Sequence, residues 1–563
     1  MTSFRKNVFL LLSLIFLGCT IISLSIIYYG DRSLQNGTVI TFQDANGDKL
    51  IGSYYPGSID AGIILNIGFG SDQIALKGIA SEFASLNFHV FTYDFSGHGR
   101  SPGKLGFDNA ATDRLANQLL IAKELFKSLS GLNDSQILLL GHSMGARVAL
   151  QSTTMDSNNV SGLILLGAQV NLGANLQSDF FTGVNDNEIE WIQNLSANNP
   201  STDILLLTGS WDDILTPYAA NLLYEKLGGA SSPFIRELVI IDFLFHNYEI
   251  YSHDAITYAL NWGIETIGLE SNPNYFANGI LLRNILWITS ITGLFLCIIF
   301  GFIFLDKIKR DTSIDNKLDI EITTNHVSEE VKINNIKRFL LVKLALWLLA
   351  LPILLFLFAI FIFIPIGVPV FNLIYVGFIG AYGILLLLLY SRGKVPGAEG
   401  ALKIHLRVNK SLLSKQTVIG IIISFILITL SVIFANSGIY YVFPFNERFI
   451  WLIILTIFIL PGFYIAQKET QYIKNSYSTD NYYLVYSTLI GYIPFILLLI
   501  FYLALGSSSG MLGSVQGLII LFFVIIGGML IMKISKNLLL TIIFQSFLIQ
   551  FLTLPAGVIF AFF

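Results

Sequence analysis

The sequence predicts an α/β domain with a mostly parallel sheet, joined to an all-α, polytopic membrane domain. Composition is the first reason, because 54% of the 563 residues are hydrophobic and 12% are charged, against about 25% charged residues in ordinary soluble proteins. The second reason is distribution, since residues 31–275 have a mixed composition whereas residues 276–563 are mostly long apolar runs. The third is that strand-like and helix-like segments alternate within 31–275, a pattern typical of parallel strands covered by helices.

The first element of the chain is an uncharged apolar run, Asn7–Tyr29, behind two basic residues. It is longer than the core of a cleaved secretory signal, so residues 1–30 are predicted to form a signal-anchor transmembrane helix. A lipoprotein-type cleavage before Cys19 is the alternative, and Phe16 in place of the usual leucine disfavours it.

Eight further apolar runs follow in the second half of the chain. A helix of about 20 apolar residues crosses the hydrocarbon core of a bilayer, and each run has roughly that length. The runs lie at about 280–305, 339–364, 368–390, 417–437, 448–466, 483–505, 512–533 and 538–562. With the first helix they predict about nine spans in a membrane domain that covers residues 276–563.

The charges of the loops predict the orientation of these spans. Loop 391–416 carries six Lys or Arg residues against a single Glu, and the loops on the opposite side are nearly free of basic residues. The N-terminus and the loops 306–338 and 391–416 are therefore expected in the cytoplasm, and residues 31–275 outside it. The protein is expected to be an integral, multi-pass protein of the cell membrane.

Within residues 31–275 the elements follow in a regular order. Two strands around Asn46-Gly47 form a hairpin, because Asn-Gly is a preferred two-residue turn. Three strand–helix units come next, and their strands read GIILNIGFG, HVFTYDF and ILLLG. Three more apolar strands follow, with the sequences SGLILLGAQV, DILLLTGS and ELVIIDF. Near-continuous apolar strands indicate burial on both faces of a parallel sheet.

Ser143 follows the ILLLG strand, at the edge where parallel sheets place functional groups. It is the centre of a G-x-S-x-G pattern, in which Gly141 and Gly145 allow a tight strand-to-helix turn that exposes the hydroxyl. The helix that begins there also favours developing negative charge. The pattern alone also fits a plain tight turn, so its neighbours decide the interpretation.

A nucleophilic serine needs a base, and the base needs a carboxylate that orients it. The strand DILLLTG is followed by Asp212 and Asp213, and the strand ELVIIDF is followed by His246. The chain order Ser, Asp, His is the one that this elbow architecture requires. Ser143, His246 and one of the two aspartates are therefore predicted to form a catalytic triad.

These residues carry a resemblance to a known family. YDFSGHGRSPG (Tyr93–Gly103) matches a D-x-x-G-x-G-x-S loop, GHSMG matches the elbow, and GSWDDILTP matches the G-x-x-D-x-x-V-x-P acid segment with Leu215 for valine. Residues 38–268 accordingly resemble the α/β-hydrolase superfamily, nearest to its monoacylglycerol-lipase and serine-aminopeptidase branch. The resemblance implies Asp212 as the acid, with Asp213 as the alternative, and a reaction without cofactor or metal.

The resemblance also implies a His-Gly-x-Gly oxyanion loop after the third strand. This chain has IGFG, so Ile67 replaces the histidine while Gly68 and Gly70 remain. A backbone donor needs no side chain, and the amides of Phe69 and Met144 are therefore expected to bind the oxyanion.

Other polar residues near the motifs are predicted to have structural roles. His98 and His142 lie inside motif loops, Asp94 supports its glycine loop, and His253 lies on the surface of the closing helix. In the membrane half, the spans are read as free of ionisable residues at their centres, and Lys343 near a helix end is expected to reach the interface. This favours an anchor, a partner-binding scaffold or a lipid-access platform over a coupled pump.

The predicted function is that of a membrane-bound serine hydrolase cleaving carboxylic esters, of lipids or of other small acyl compounds. Residues 171–202 are predicted to form a short lid. Four of its apolar side chains either line an acyl pocket or pack the lid onto the domain: Phe180, Phe181, Trp191 and Ile192. Membrane lipids and an unidentified membrane partner are the expected surroundings, whereas a net charge of −4 and the lack of a basic cluster exclude nucleic acid.

Two alternative functions stay open. One is a serine aminopeptidase-like peptidase that acts on short peptides, since the motifs do not separate esters from amides. The other is a transport or sensor protein whose hydrolase-like domain only binds a ligand. The predicted triad weighs against the second, because binding alone needs no aligned serine, histidine and aspartate.

Overall fold

The computed structural model describes residues 2–106, 109–156, 158–168, 170, 172, 189–269, 275–311, 329–362, 368–392, 396, 414–441, 443–476, 481–505, 507–554 and 559–560. Among them, a sheet domain lies between a long N-terminal helix, α1 (Thr2–Gly30), and a C-terminal set of long apolar helices. The predicted combination of an α/β domain with apolar helices is therefore confirmed.

The described part of the domain contains a sheet of eight strands. The strands are β1 (Thr38–Gln43), β2 (Lys49–Tyr55), β3 (Gly62–Asn66), β4 (His89–Asp94), β5 (Ile137–His142), β6 (Gly162–Leu166), β7 (Asp203–Gly209) and β8 (Arg236–Ile241). Their order in the sheet is β1-β2-β4-β3-β5-β6-β7-β8. β2 pairs antiparallel with β1 and β4, and the remaining neighbours are parallel. The sheet is thus mostly parallel, as predicted.

Helices connect the parallel strands and cover them. They are α2 (Lys77–Ser85), α3 (Asn109–Ser130), α4 (Met144–Met155), α5 (Glu190–Gln193), α6 (Pro217–Lys226) and α7 (His253–Thr266). Every residue of β3, β5 and β6 is buried, as expected for parallel strands covered on both faces. Burying each leucine of these strands stabilises the domain by about 1.5–3 kcal/mol, which explains their apolar sequences.

The C-terminal helices are long and apolar. They are α8 (Asn278–Asp311), α9 (Glu329–Ile362), α10 (Val370–Ser391), α11 (Lys415–Asn436), α12 (Glu447–Ser476), α13 (Asn481–Ala504), α14 (Ser508–Ser535) and α15 (Leu538–Thr553). Two strands of two residues each, β9 (Val368–Pro369) and β10 (Ile559–Phe560), pair antiparallel. The first helix joins this set, because Thr20 Oγ1 on α1 donates to the Ser290 carbonyl on α8 at 3.1 Å.

Six helices in the described ranges are long and apolar enough to cross a membrane, judged by length and composition. These spans are Asn7–Leu34, Asn278–Leu305, Lys415–Asn436, Glu447–Ile473, Tyr486–Ala504 and Gly510–Ser535. Val376–Leu389 and Leu538–Thr553 are shorter apolar helices. A multi-pass membrane protein is indicated, whereas the count of nine spans and their orientation stay predictions. Most of the predicted loops 306–338 and 391–416 lies outside the described residues.

Lys343 corrects one expectation about the membrane half. Its side chain on α9 is 7% exposed, and Nζ lies 2.6 Å from Glu469 Oε2 and 2.8 Å from Ser487 Oγ. Tyr382 donates to the other oxygen of Glu469 at 2.7 Å. The expectation that Lys343 reaches the interface is wrong, because a lysine with a buried carboxylate partner has no need to extend to water.

Most of the predicted lid, including Phe180 and Phe181, also lies outside the described residues. Two of its four apolar side chains are described. Ile192 is buried in the domain core, and the Trp191 ring packs against that core with the Arg147 guanidinium 5.4 Å from its centroid. For these two residues the structure favours packing of the lid onto the domain.

Candidate active site

The turn at Ser143 is strained in the way that the G-x-S-x-G pattern predicts. Ser143 has φ +54° and ψ −118°, a conformation that non-glycine residues rarely adopt, and α4 begins at the next residue. A Cβ on Gly141 would lie 2.3 Å from the Gly145 carbonyl oxygen, and one on Gly145 would lie 2.4 Å from the Asn66 carbonyl oxygen. Both glycines are therefore needed for the backbone to pass so closely.

The structure brings together Ser143, His246 and Asp212 from the ends of three strands. His246 Nε2 lies 2.9 Å from Ser143 Oγ, and His246 Nδ1 lies 2.7 Å from Asp212 Oδ2. Asp212 is oriented in turn by the amides of Ile214 and Leu215, which donate to its Oδ1 at 2.9 Å and 2.8 Å. His246 thus bonds to Asp212 of the two candidate aspartates, as the resemblance implied.

Glu249 is a buried carboxyl group beside the hydrogen-bonded Ser143, His246 and Asp212. Sequence reasoning missed it. It is 1% exposed, its Oε1 accepts from the Gly209 amide at 3.0 Å, and its Oε2 lies 4.0 Å from His246 Nδ1. Burial, reinforced by the nearby Asp212 carboxylate, holds the pKa of Glu249 well above its usual range. Burial therefore favours the protonated, neutral form of Glu249. The only sequence signal was its place three residues after His246, on the short 3₁₀ helix His246–Tyr251.

His142 has the structural role that the sequence predicted. Its Nε2 lies 3.0 Å from the His246 carbonyl oxygen, to which it donates, and 3.6 Å from Glu249 Oε2. Burial lowers the pKa of His142 to about 3, so the ring is neutral. His142, His246 and Glu249 are close enough to hold a metal ion, but the ring nitrogens that face this cluster already form hydrogen bonds. The cluster is therefore a hydrogen-bond network around His246.

The segment 67–70 lies against the serine turn. A Cβ on Gly68 would lie 2.9 Å from His142 Nδ1 and 3.4 Å from Ser143 Cβ, so the backbone here passes beside the nucleophile. Gly70 has φ +70°, and Ile67, which replaces the family histidine, is fully buried. Phe69 lies within this segment and Met144 follows Ser143 at the start of α4, and the assignment of their amides as oxyanion donors stays a prediction.

The remaining polar residues of the motifs lie as predicted. Asp94 accepts from the amides of Gln73 and Arg100, at 2.8 Å and 2.9 Å, and so supports its glycine loop. His98 bonds through Nδ1 to the Ser96 carbonyl at 3.1 Å, and burial lowers its pKa to about 4. His253 begins α7 and pairs with Asp254 at the surface.

Comparison with known proteins agrees with this architecture. Residues 57–195 match the family model described as serine aminopeptidase, S33. A caffeoylshikimate esterase from Arabidopsis thaliana is 29% identical over 126 residues, which are 22% of this chain and 37% of the relative. The chain thus aligns with little more than a third of that relative's length.

Three of the similar solved structures are between 17% and 18% identical in sequence to this chain. They are an α/β hydrolase from Penicillium (17% identity, 41% of this chain, 98% of that chain, TM-score 0.35), an esterase from Pyrococcus furiosus (18%, 41%, 90%, 0.32) and a bacterial membrane phospholipase A (17%, 47%, 99%, 0.32). The family match and the strand order assign the α/β-hydrolase fold to the sheet domain, which is similar to esterases and serine aminopeptidases and is joined here to long apolar helices.

Proposed function

We propose that this protein is a membrane-bound serine hydrolase that cleaves carboxylic esters. The observation that carries the proposal is the line of hydrogen bonds from Ser143 through His246 to Asp212, at 2.9 Å and 2.7 Å. A nucleophile, a base and an orienting carboxylate at these distances are the parts that acyl transfer requires. All three residues are buried, which keeps water from competing for their hydrogen bonds and corrects the expectation that the turn exposes the Ser143 hydroxyl.

The reaction runs in two stages. Ser143 Oγ attacks the ester carbonyl carbon while its proton passes to His246 Nε2, and the Phe69 and Met144 amides bind the oxyanion. His246 returns the proton to the leaving alcohol, and an acyl-serine remains. Water then attacks the acyl-serine with His246 as the base, the acid is released and Ser143 recovers its proton. Asp212 holds the imidazole and stabilises its charged form throughout.

Aromatic side chains beside the site favour an ester with an apolar acyl chain. Trp211 and Phe243 are 49% and 71% exposed, their ring centroids lie 5.2 Å apart, and Trp211 precedes Asp212 in the chain. Phe243 has φ +56°, so a strained backbone holds an exposed aromatic ring here. Exposed aromatic rings such as those of Trp211 and Phe243 are suited to contact with lipid.

The same rings continue to the membrane helices. Trp211 contacts Phe245, which contacts Tyr248, which contacts Tyr251, and Tyr251 packs edge-on against Trp287 of α8 at 5.4 Å. We name this series the aromatic path. Because it joins the rim of the site to an apolar helix, it supports lipid esters in the adjoining bilayer as the substrate class.

A fluorophosphonate probe tests the nucleophile. Wild-type protein in detergent should react covalently with the probe, and Ser143→Ala should not. Labelling that persists in Ser143→Ala would contradict the proposal and favour a binding or transport role for the domain.

A substrate panel tests the ester assignment. A long-chain monoacylglycerol in liposomes, a short p-nitrophenyl ester and an aminoacyl p-nitroanilide would be compared at equal enzyme concentration. We expect hydrolysis of the two esters, and loss of activity on the long-chain ester alone in a Trp211→Ala/Phe243→Ala variant. Faster cleavage of the anilide would make the enzyme a peptidase instead.

A further inference from the structure

The membrane half of the chain bonds directly to two loops of the sheet domain, one of which passes beside Ser143. One is the oxyanion segment, residues 68–73, and the other is the glycine loop, residues 97–101, which follows β4. Arg448, in the first turn of α12, is 2% exposed and donates from Nη2 to the Gly97 carbonyl at 2.8 Å and from Nη1 to the Gly99 carbonyl at 3.1 Å. A guanidinium from an apolar helix therefore bridges two carbonyl groups of the glycine loop.

The oxyanion segment receives a bond from the loop that precedes α12. This α11–α12 loop comprises residues 437–446, of which 442 lies outside the described part. The Tyr441 amide donates to Asp72 Oδ2 at 2.7 Å, while Asp72 Oδ1 accepts from Ile74 at 2.9 Å. Asp72 is buried and lies three residues after Phe69, so its anchorage bears on the proposed oxyanion donor.

Three further contacts complete the attachment of the glycine loop. The Asn446 amide group donates to the Arg100 carbonyl at 2.8 Å, and the Arg100 guanidinium lies 4.6 Å from the centroid of the Tyr441 ring. Ile559, on the short β10 strand, donates to the Gly97 carbonyl at 3.2 Å. Segments far apart in the membrane half thus meet on one loop of the hydrolase domain.

Asp94 links the two loops, so they move as one. It accepts from Gln73 of the oxyanion segment and from Arg100 of the glycine loop. Gly99 leaves no room between them, because a Cβ there would lie 2.4 Å from the Asp94 carboxyl carbon. Release of the glycine loop would therefore shift the backbone that carries the Phe69 amide.

We propose that the α11–α12 loop and Arg448 are positioning elements of the active site, which hold the oxyanion segment in register with Ser143. This inference rests on the proposed function and deepens it: the apolar helices contribute to catalysis as well as to anchorage. A buried guanidinium that bonds to two carbonyls fixes their separation, which an ammonium group does less well. Displacement of a catalytic group by about 1 Å lowers a rate by about 10²-fold.

The test compares two buried arginines in the full-length protein. Arg448→Met removes the bridge to the glycine loop. Arg236→Met is the matched control, because Arg236 is also buried and also bonds to backbone carbonyls, those of Leu227, Pro200 and Thr202, at the opposite edge of the sheet. The readouts are the fluorophosphonate labelling rate, kcat and KM for a short soluble ester, and the thermal midpoint.

Arg448→Met should label about 10- to 100-fold more slowly, with a lower kcat and a KM close to that of the wild type. Arg448→Lys should recover part of the rate. Arg236→Met should lower the thermal midpoint while the folded protein keeps the wild-type rates. A wild-type labelling rate in folded Arg448→Met, or an equal loss of rate in folded Arg236→Met, would overturn the proposal.

If Arg448→Met yields no folded protein, Asp72→Ala decides the matter. That variant removes the acceptor of the Tyr441 amide, and a wild-type labelling rate in it would overturn the proposal. Failure of the proposed function is distinguishable, because it appears as labelling that survives Ser143→Ala, whatever the arginine variants do.

Discussion

Replacement of Glu249 by glutamine should stabilise the protein at neutral pH. The side chain is 1% exposed, and burial together with Asp212 raises its pKa well above the ordinary value of 4.5. In the unfolded chain the group ionises near pH 4.5, whereas in the folded protein a higher pH is needed to ionise it. A raised folded pKa gives stability that is complete below the unfolded pKa and is lost as pH rises towards the folded pKa.

The size of the effect follows from linkage. Between the two pKa values the wild type loses about 1.4 kcal/mol of folding free energy per pH unit through this group. Glutamine does not titrate, keeps an oxygen for the Gly209 amide and offers an N–H where the neutral acid has its O–H. For a domain of roughly 150–250 residues, 1.4 kcal/mol corresponds to about 3–6 °C in thermal midpoint.

The assay is thermal unfolding of full-length wild type and Glu249→Gln in detergent, at several pH values from 5 to 7. The midpoint of the variant should exceed that of the wild type by a margin that widens as pH rises, while labelling by the probe continues. Glu249→Ala is the control, since it leaves the Gly209 amide without its acceptor and should destabilise at every pH. A margin that does not change with pH would show that Glu249 is ionised in the folded protein, and would refute the reasoning.

Three further predictions concern the elbow, the acid and the buried pair of the membrane half. Asp212→Asn should lower kcat for the ester about 10⁴-fold, because the imidazole loses the partner that fixes its tautomer. The kcat of Asp213→Asn in the same assay should stay close to that of the wild type. Gly145→Ala should prevent folding or lower the thermal midpoint sharply, because the new Cβ would lie 2.4 Å from the Asn66 carbonyl oxygen. Gly18→Ala is the control and should fold normally, because no atom lies within 4 Å of a Cβ at that position. Lys343→Met should destabilise by about 3–5 kcal/mol in thermal unfolding, because the buried Glu469 carboxylate loses its cationic partner, and Lys343→Met/Glu469→Gln should regain most of that loss. A double variant no more stable than Lys343→Met would contradict the last of these.

Local patterns were sufficient for the architecture of the sheet domain. Apolar strands bounded by glycines, the turn at Ser143 and the polar residues after β7 and β8 all depend on neighbours within about ten positions. Because parallel strands end at one edge, the sequence alone predicted that Ser143, Asp212 and His246 approach each other. The residues alone left Asp212 and Asp213 as alternatives; the resemblance to a known family implied Asp212, and His246 bonds to Asp212 in the structure.

Side chains whose partners lie far along the chain could not be predicted in the same way. Lys343 and Glu469 are 126 positions apart, and each alone resembles a charge at the end of a span. Glu249 belongs neither to a periodic apolar pattern nor to a motif, and only the fold places it beside His246. The contacts of Arg448 with the glycine loop depend on how the sheet domain sits on the helices, which no periodicity encodes.

The distance along the chain between Arg448 and Gly97 has a consequence for biosynthesis. The two residues are 351 positions apart. At the ~5–20 residues per second at which ribosomes work, Arg448 is added roughly 20–70 s after Gly97. The last strand of the sheet, β8, ends at Ile241, 207 positions before Arg448. A sheet domain with all eight of these strands therefore exists for roughly 10–40 s before Arg448 is added, and during that time its glycine loop lacks the guanidinium bridge.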